Sequence, residues 1–187
     1  LLQRHAVCHT VRNGEFSFPD SARNDVYMTL EGGRFTQGKN IEVSMVVRHD
    51  DDGRHIERCA CVGSLMHEKA YRSPIWPGSQ QPTWRETVRL RVPPEALTRC
   101  HLFFHARQVH KSRDKATPPF AFAFCHLVND DLSMVGERPV TIDCYKPTSN
   151  VEPAPSQYLS NANPIAAAGL VPRKGESITL RFRTYTQ

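Results

Sequence analysis

The chain has 187 residues, 39% of them hydrophobic and 23% charged, with a net charge of +5 and a pI of about 9.0. That size carries one domain with its own core, and the longest apolar run, Phe120 to Cys125, is far too short to cross a bilayer. Six cysteines (Cys8, Cys59, Cys61, Cys100, Cys125 and Cys144) fall mostly inside strand-like runs, which argues against a disulfide-held scaffold and for reduced thiols in the cytoplasm.

Residues 1 to 20 read as an N-terminal extension; LLQRHAVCHTVR lacks the apolar stretch of a secretory leader, and RNGEFSFPDS holds turn formers. Residues 21 to 187 read as one domain. In DVYMTLEGGRF (25 to 35) Val26, Met28 and Leu30 alternate inward, and GGRFTQGKN is a glycine-rich turn carrying Arg34 and Lys39. NIEVSMVVR (40 to 48) alternates Ile41, Val43, Met45 and Val47, DDDG signals a tight turn, and a strand over about 54 to 62 should pair back. Residues 63 to 83 form a long irregular connection in which Pro74 and Pro77 bracket Ile75 and Trp76. WRETVRLRV (84 to 92) turns Trp84, Val88, Leu90 and Val92 inward and Arg85, Arg89 and Arg91 outward. PPEALTR allows one helical turn.

Next come two aromatic strands joined by a basic loop. Leu102, Phe104 and Ala106 alternate in the first, and Phe120, Phe122 and Phe124 alternate with Ala121 and Ala123 in the second. Arg107, Lys111, Arg113 and Lys115 against Asp114 give this loop a local charge of +3. Either it is a solvated hairpin tip or it is an anion trap held by two rigid strands. RPVTIDCYK (138 to 146) is a further strand, residues 147 to 176 are an aperiodic excursion, and SITLRFRTY (177 to 185) is the last strand. The sum is an all-β fold, an eight-stranded antiparallel β-sandwich with long loops and Trp84, Val88, Leu90, Leu102, Phe104, Phe122 and Phe124 in its interior.

The basic balance points to an anionic partner: nucleic acid, an acidic protein or a membrane surface. No catalytic signature is present, neither G-x-S-x-G, a phosphate-binding loop nor H-E-x-x-H. Cys59-x-Cys61 and Cys100-His101 invite a zinc reading, but a C-x-C within a strand sends its thiols to opposite faces, so no metal or cofactor is expected. The outward arginines Arg85, Arg89, Arg91, Arg181 and Arg183 read as a solvated sheet face, and no base-stacking aromatic signature speaks for nucleic acid.

SARNDVYMTLEGGRF, KNIEVSMVVRHDDDG, QQPTWRETVRLRVP, CHLFFHARQVHKSRDKATPPFAFAFCHLV and ERPVTIDCYK, in this order, resemble the C2 domain of the dedicator-of-cytokinesis (DOCK) family over roughly residues 21 to 147. The most specific pieces are NDVYMTL, P-x-W-x-E-T at Pro82 to Thr87, and H-L-x-F entering the lysine-rich loop. The resemblance implies a C2-like domain that binds phosphatidylinositol 3,4,5-trisphosphate without calcium. It further implies a cytoplasmic module recruited to the plasma membrane, from a guanine nucleotide exchange factor that meets its Rac- or Rap-type GTPase through another region. The domain itself is then no enzyme. In a C2 sandwich the loops at 33 to 40, 63 to 83 and 106 to 119 gather at one rim, so Arg34 and Lys39 would face Arg107, His110, Lys111, Arg113 and Lys115 across a headgroup pocket. Trp76 at this rim either dips into a membrane or packs on the sandwich.

GGRFTQGKN is shorter and poorer in lysine than the family's usual first loop, which implies a shallower pocket. Four to six cations near an anionic leaflet give on the order of 4 to 6 kcal/mol, roughly millimolar to tens of micromolar, so selective recruitment needs a shaped pocket as well as diffuse charge. A protein-interaction module using the sheet face or the 147 to 176 excursion is the alternative class, and a hydrolase of unfamiliar type a third.

Overall fold

The computed structural model describes residues 9–11, 15–17, 25–67, 69–110, 117–129, 135, 138–147, 152–159 and 170–184. Strands β1 (His9–Val11) and β2 (Glu15–Ser17) form a separate antiparallel hairpin. The main sheet is built from β3 (Asp25–Arg34), β4 (Ile41–His49), β5 (Ala60–Val62), β6 (Leu65–His67), β7 (Tyr71–Arg72), β8 (Thr83–Arg91), β9 (Cys100–Gln108), β10 (Ala121–His126), β11 (Val140–Lys146) and β12 (Val171–Thr184). Its order is β6-β5-β8-β3-β12-β11-β10-β9-β4-β7, antiparallel throughout, with a 3-10 helix at Pro94–Arg99 and a 3-10 turn at Pro155–Gln157. The seam between β10 and β11 is narrow, a single register pair between Phe122 and Tyr145.

Alternation explains the main core. Val26, Met28 and Leu30, then Ile41, Val43, Met45 and Val47, then Val88 and Leu90, Leu102 and Phe104, and Ile178, Leu180 and Phe182 are all buried in one cluster. These side chains come from both halves of the sheet, so it closes over itself as a sandwich. The 54 to 59 segment crosses between its halves, Ile56 N donating to Val47 O and Arg91 N to Cys59 O. The DDDG turn requires its glycine: Gly53 has φ +71°, and a Cβ there would lie 2.5 Å from Arg48 Nη2.

The sheet has ten strands where the sequence pattern predicts eight. β6 and β7 lie inside the stretch expected to be irregular, and both are too short to show a period of two. The expected strand at 54 to 62 is regular only over Ala60–Val62. β12 begins at Val171, six residues before the expected start at Ser177, because Pro172 and Gly175 read as breakers in sequence. Between Asp143 and Tyr145 its partner drops from Ser177 to Pro172, which leaves a bulge at residues 173–176.

Both faces of β9 and β10 are covered. Ala121 and Ala123 face the main core, and Ala123 stands opposite Phe104, so small residues make room for the large ring. Phe122 therefore lies on the other face, buried in a second cluster with Val46, Phe103, Tyr145, Tyr158 and Leu170. Trp84 and Phe124, expected in the interior, are half-buried. Residues 152–159, part of the predicted excursion, lay Tyr158 fully buried against this aromatic face. Arg89, expected outward and wet, is buried with an Asp25 carboxylate oxygen 4.0 Å away.

Candidate anion-binding rim

The rim is assembled where β3 and β9 end and β4, β8 and β10 begin. Val109 N donates to Asn40 O at 3.0 Å, and Gly78 N donates to Asn40 Oδ1 at 2.8 Å. Trp76 bridges Ile41, and Phe35 N donates to Gln80 O at 2.9 Å. The loops at 35–40 and 73–82 and the start of the basic loop at Val109 therefore form one bonded unit.

The β12 bulge joins this unit. Arg173 Nη2 donates to Gln37 Oε1 at 3.0 Å, and its guanidinium lies 5.3 Å from the Phe120 ring centroid. Phe120 meets Phe35 edge-on at 5.7 Å, so the stem of the basic loop is clamped from two sides. Glu176 accepts from Thr36 N at 3.0 Å, from the Thr36 hydroxyl and from Arg173. Burial works to raise the Glu176 carboxyl pKa, but these donors outweigh it and hold it below the usual range.

Arg107 is engaged within the protein. Its Nε and Nη2 lie 2.8 and 2.7 Å from Glu42 Oε1, with Arg72 Nη1 at 3.7 Å from the same oxygen. Lys39 and His110 are exposed on adjacent loops joined by the Val109–Asn40 bond. Arg34 is exposed but lines a different groove, about 530 Å³, with Gln81, Thr83, Arg85, Ser177 and Thr179. Lys111, Arg113 and Lys115 lie outside the described residues. Lys174, exposed in the bulge, is a rim cation that sequence reading left in the excursion; the Arg-Lys-Gly run before an alternating strand was the available signal.

Among the described residues no cluster of three or more histidine, cysteine, aspartate or glutamate side chains could hold an ion, and Glu31 is 2.9 Å from Arg181. Burial pushes the Cys59 and Cys125 thiols up to about 11 and those of Cys100 and Cys144 up to about 12, so these are neutral packing groups at physiological pH.

A second polar cluster lies at the opposite end. His101 Nδ1 donates to Asp50 at 2.7 Å; its Nε2 is 2.7 Å from the Tyr158 hydroxyl, which accepts from Arg48 Nη1 at 3.1 Å. Because a carboxylate can only accept, Nδ1 carries the proton and Nε2 accepts from the tyrosine. The order of groups is that of a hydrolytic triad, but His101 and Tyr158 are fully buried, and burial raises the hydroxyl's pKa. It is a fastening for residues 152–159, without access to a substrate.

Residues 19–186 match the family model described as the C2 domain in Dock180 and Zizimin proteins. The chain is 34% identical over 139 residues to dedicator of cytokinesis protein 3 of Mus musculus and of Homo sapiens, covering 71% of this chain and 7% of each relative. It is 28% identical over 135 residues to dedicator of cytokinesis protein 4 of Homo sapiens, covering 68% of this chain and 7% of that protein. The chain thus spans about 7% of the length of the curated relatives it matches.

Proposed function

Because the chain belongs to the family of C2 domains in Dock180 and Zizimin proteins, we propose that it is a calcium-independent membrane-targeting module that binds phosphoinositide headgroups at its basic rim, with phosphatidylinositol 3,4,5-trisphosphate as the preferred lipid. The observation that carries this reading is the charge at the rim. Lys39 and Lys174 are exposed there and have no acidic partner among the described residues, while Arg107 and Arg173 are held by Glu42 and Glu176 as a fixed frame. Charge-assisted bonds from such cations to phosphate supply what diffuse attraction lacks. In sequence, Lys111, Arg113 and Lys115 lie between Val109 and Phe120, whose amides are bonded to Asn40 O and Ala106 O. The full protein is then brought from the cytoplasm to the plasma membrane, and its exchange activity toward a Rac- or Rap-type GTPase resides in another region.

The test is vesicle co-sedimentation with and without the trisphosphoinositide at about physiological salt. Lys111→Ala with Lys115→Ala should lose about 1.5 to 3 kcal/mol per phosphate contact, with folding unchanged. Arg58→Ala with Arg99→Ala, exposed at the opposite end, should bind as the parent does. Equal loss in both double variants would place the headgroup elsewhere.

A protein-interaction module remains the second reading. Residues 152–159 cover the aromatic outer face of β9 and β10, so that face is already occupied by the chain itself.

A further inference from the structure

Four large hydrophobic residues are exposed among the described ones: Leu65, Ile75, Trp76 and Val171. Two of them are consecutive, Ile75 at 41% and Trp76 at 48%, and sit on the rim beside Lys39. We propose that the Pro74–Gly78 turn is a wedge that enters the interfacial layer of an anionic bilayer, with Ile75 and Trp76 as its apolar tip. This rests on the lipid reading above and adds a second, apolar mode of attachment to it.

The pair is held out by construction. Pro74 and Pro77 restrict φ on either side. Trp84 Nε1 donates to Pro74 O at 2.8 Å, and the Ser73 hydroxyl donates to the same oxygen at 3.1 Å. Ser73 N donates to Val43 O at 2.8 Å, Trp76 bridges Ile41, and Gly78 N donates to Asn40 Oδ1. A turn tied at both ends to β4 and to the neighbouring loop loses little conformational freedom on insertion. Its exposed apolar surface is a fixed feature of the rim.

Charge selects the occupant. The tip lies next to the loop that carries Lys39, Lys174 is exposed on the bulge bonded to that same loop, and tryptophan favours the layer where headgroups meet acyl chains. A protein interface centred on a tryptophan usually excludes lysine from its surroundings. An anionic bilayer takes both the apolar tip and its lysine flank in one approach.

Fluorescence isolates the tip, because the chain has two tryptophans, Trp76 and Trp84. Trp84→Phe leaves Trp76 as the reporter, and Trp76→Phe leaves Trp84. With vesicles of phosphatidylcholine, phosphatidylserine and the trisphosphoinositide, Trp76 emission should shift to the blue and be quenched by brominated acyl chains, while Trp84 emission stays unchanged. Should Trp84→Phe fail to fold, the difference between the parent and Trp76→Phe carries the same signal. Ile75→Ala with Trp76→Ala should weaken vesicle binding about tenfold or more, the usual effect of removing an aromatic anchor, with an unchanged melting temperature. Vesicle binding without a Trp76 shift, or undiminished in the double alanine variant, overturns the wedge and leaves the headgroup reading standing. A parent protein that binds no anionic vesicle overturns both.

Discussion

At the rim, residues 35–42, 72–82, 107–110 and 173–176 hold five arginines and lysines against two glutamates. At the other end of the sandwich, residues 50–58 and 93–99 hold five aspartates and glutamates against three arginines. Of these, Asp50 is tied into the fold and Asp52 pairs with Arg54. Burial works to raise the Asp50 carboxyl pKa, but hydrogen bonds and charge from His101 and His126 outweigh it and hold the pKa down to about 2. Just inside, Arg48 donates to Gly53 O, Pro153 O and the Tyr158 hydroxyl while stacking on Phe103 at 4.7 Å. At the rim the two glutamates fix Arg107 and Arg173 and leave Lys39 and Lys174 outside these pairs. One end therefore ties buried charge into the fold, and the other leaves two lysines exposed outside its ion pairs.

The largest expected effect belongs to the fastened end. Tyr158→Ala removes a fully buried ring from the aromatic face, and urea unfolding should show a loss of about 3 to 5 kcal/mol. Tyr158→Phe keeps the ring and strands the buried polar groups around its hydroxyl, a loss of about 1 to 3 kcal/mol. Variants that stay folded in the cold should bind vesicles as the parent does. Reduced vesicle binding by Tyr158→Phe would mean the two ends are not independent.

At the rim the pattern should reverse. Lys39→Ala with Lys174→Ala should weaken binding to anionic vesicles by about 2 kcal/mol, roughly thirtyfold, at about 1 kcal/mol per cation. Unfolding midpoints should stay within about 0.5 kcal/mol of the parent. Raising the salt should erode the difference between the two proteins.

A smaller effect separates frame from pocket. Glu42→Gln removes the charge that holds Arg107 and Arg72, adding one positive charge to the rim. Vesicle affinity should rise by about 1 kcal/mol, while stability falls because Glu42 is nearly buried. Unchanged affinity would place Arg107 outside the lipid-facing surface.

Mild acid should loosen the fastened end first, through His101 and His105. Burial lowers the His101 pKa against the opposing pull of Asp50, with His126 and Arg48 acting in the same direction as burial. Burial likewise lowers that of His105, with Glu152 opposing and Arg48 and His55 adding to the shift. The folded protein then binds fewer protons than the unfolded chain, so this stability is present above the ordinary histidine value near 6.5 and is lost as pH falls through the lowered values. Melting temperature should drop between about pH 7 and pH 5, and His101→Gln should flatten that slope. A slope unchanged in His101→Gln would assign the acid response to other groups.

Alternation of buried and wet residues made β3, β4, β8 and β9 legible in the chain, and the motifs from Ser21 to Lys146 pointed to the family that the comparison then showed. Those signals are local: a period of two needs only a few consecutive residues. The excursion at 147 to 176 carried no such period, so neither the Tyr158 fastening nor the early start of β12 could be read from it. Lys39 was named as a rim cation from the sequence, but the internal engagement of Arg107 was hidden. Whether an arginine is available depends on which carboxylate reaches it, and Arg107 meets Glu42 across 65 positions while Thr36 meets Glu176 across 140. Composition determined that the protein is basic, and alternation that it is a β-sandwich. Only the folded sheet decided which charges neutralise one another inside the fold and which stay exposed, because the pairing is set by distances across strands that the chain order does not contain.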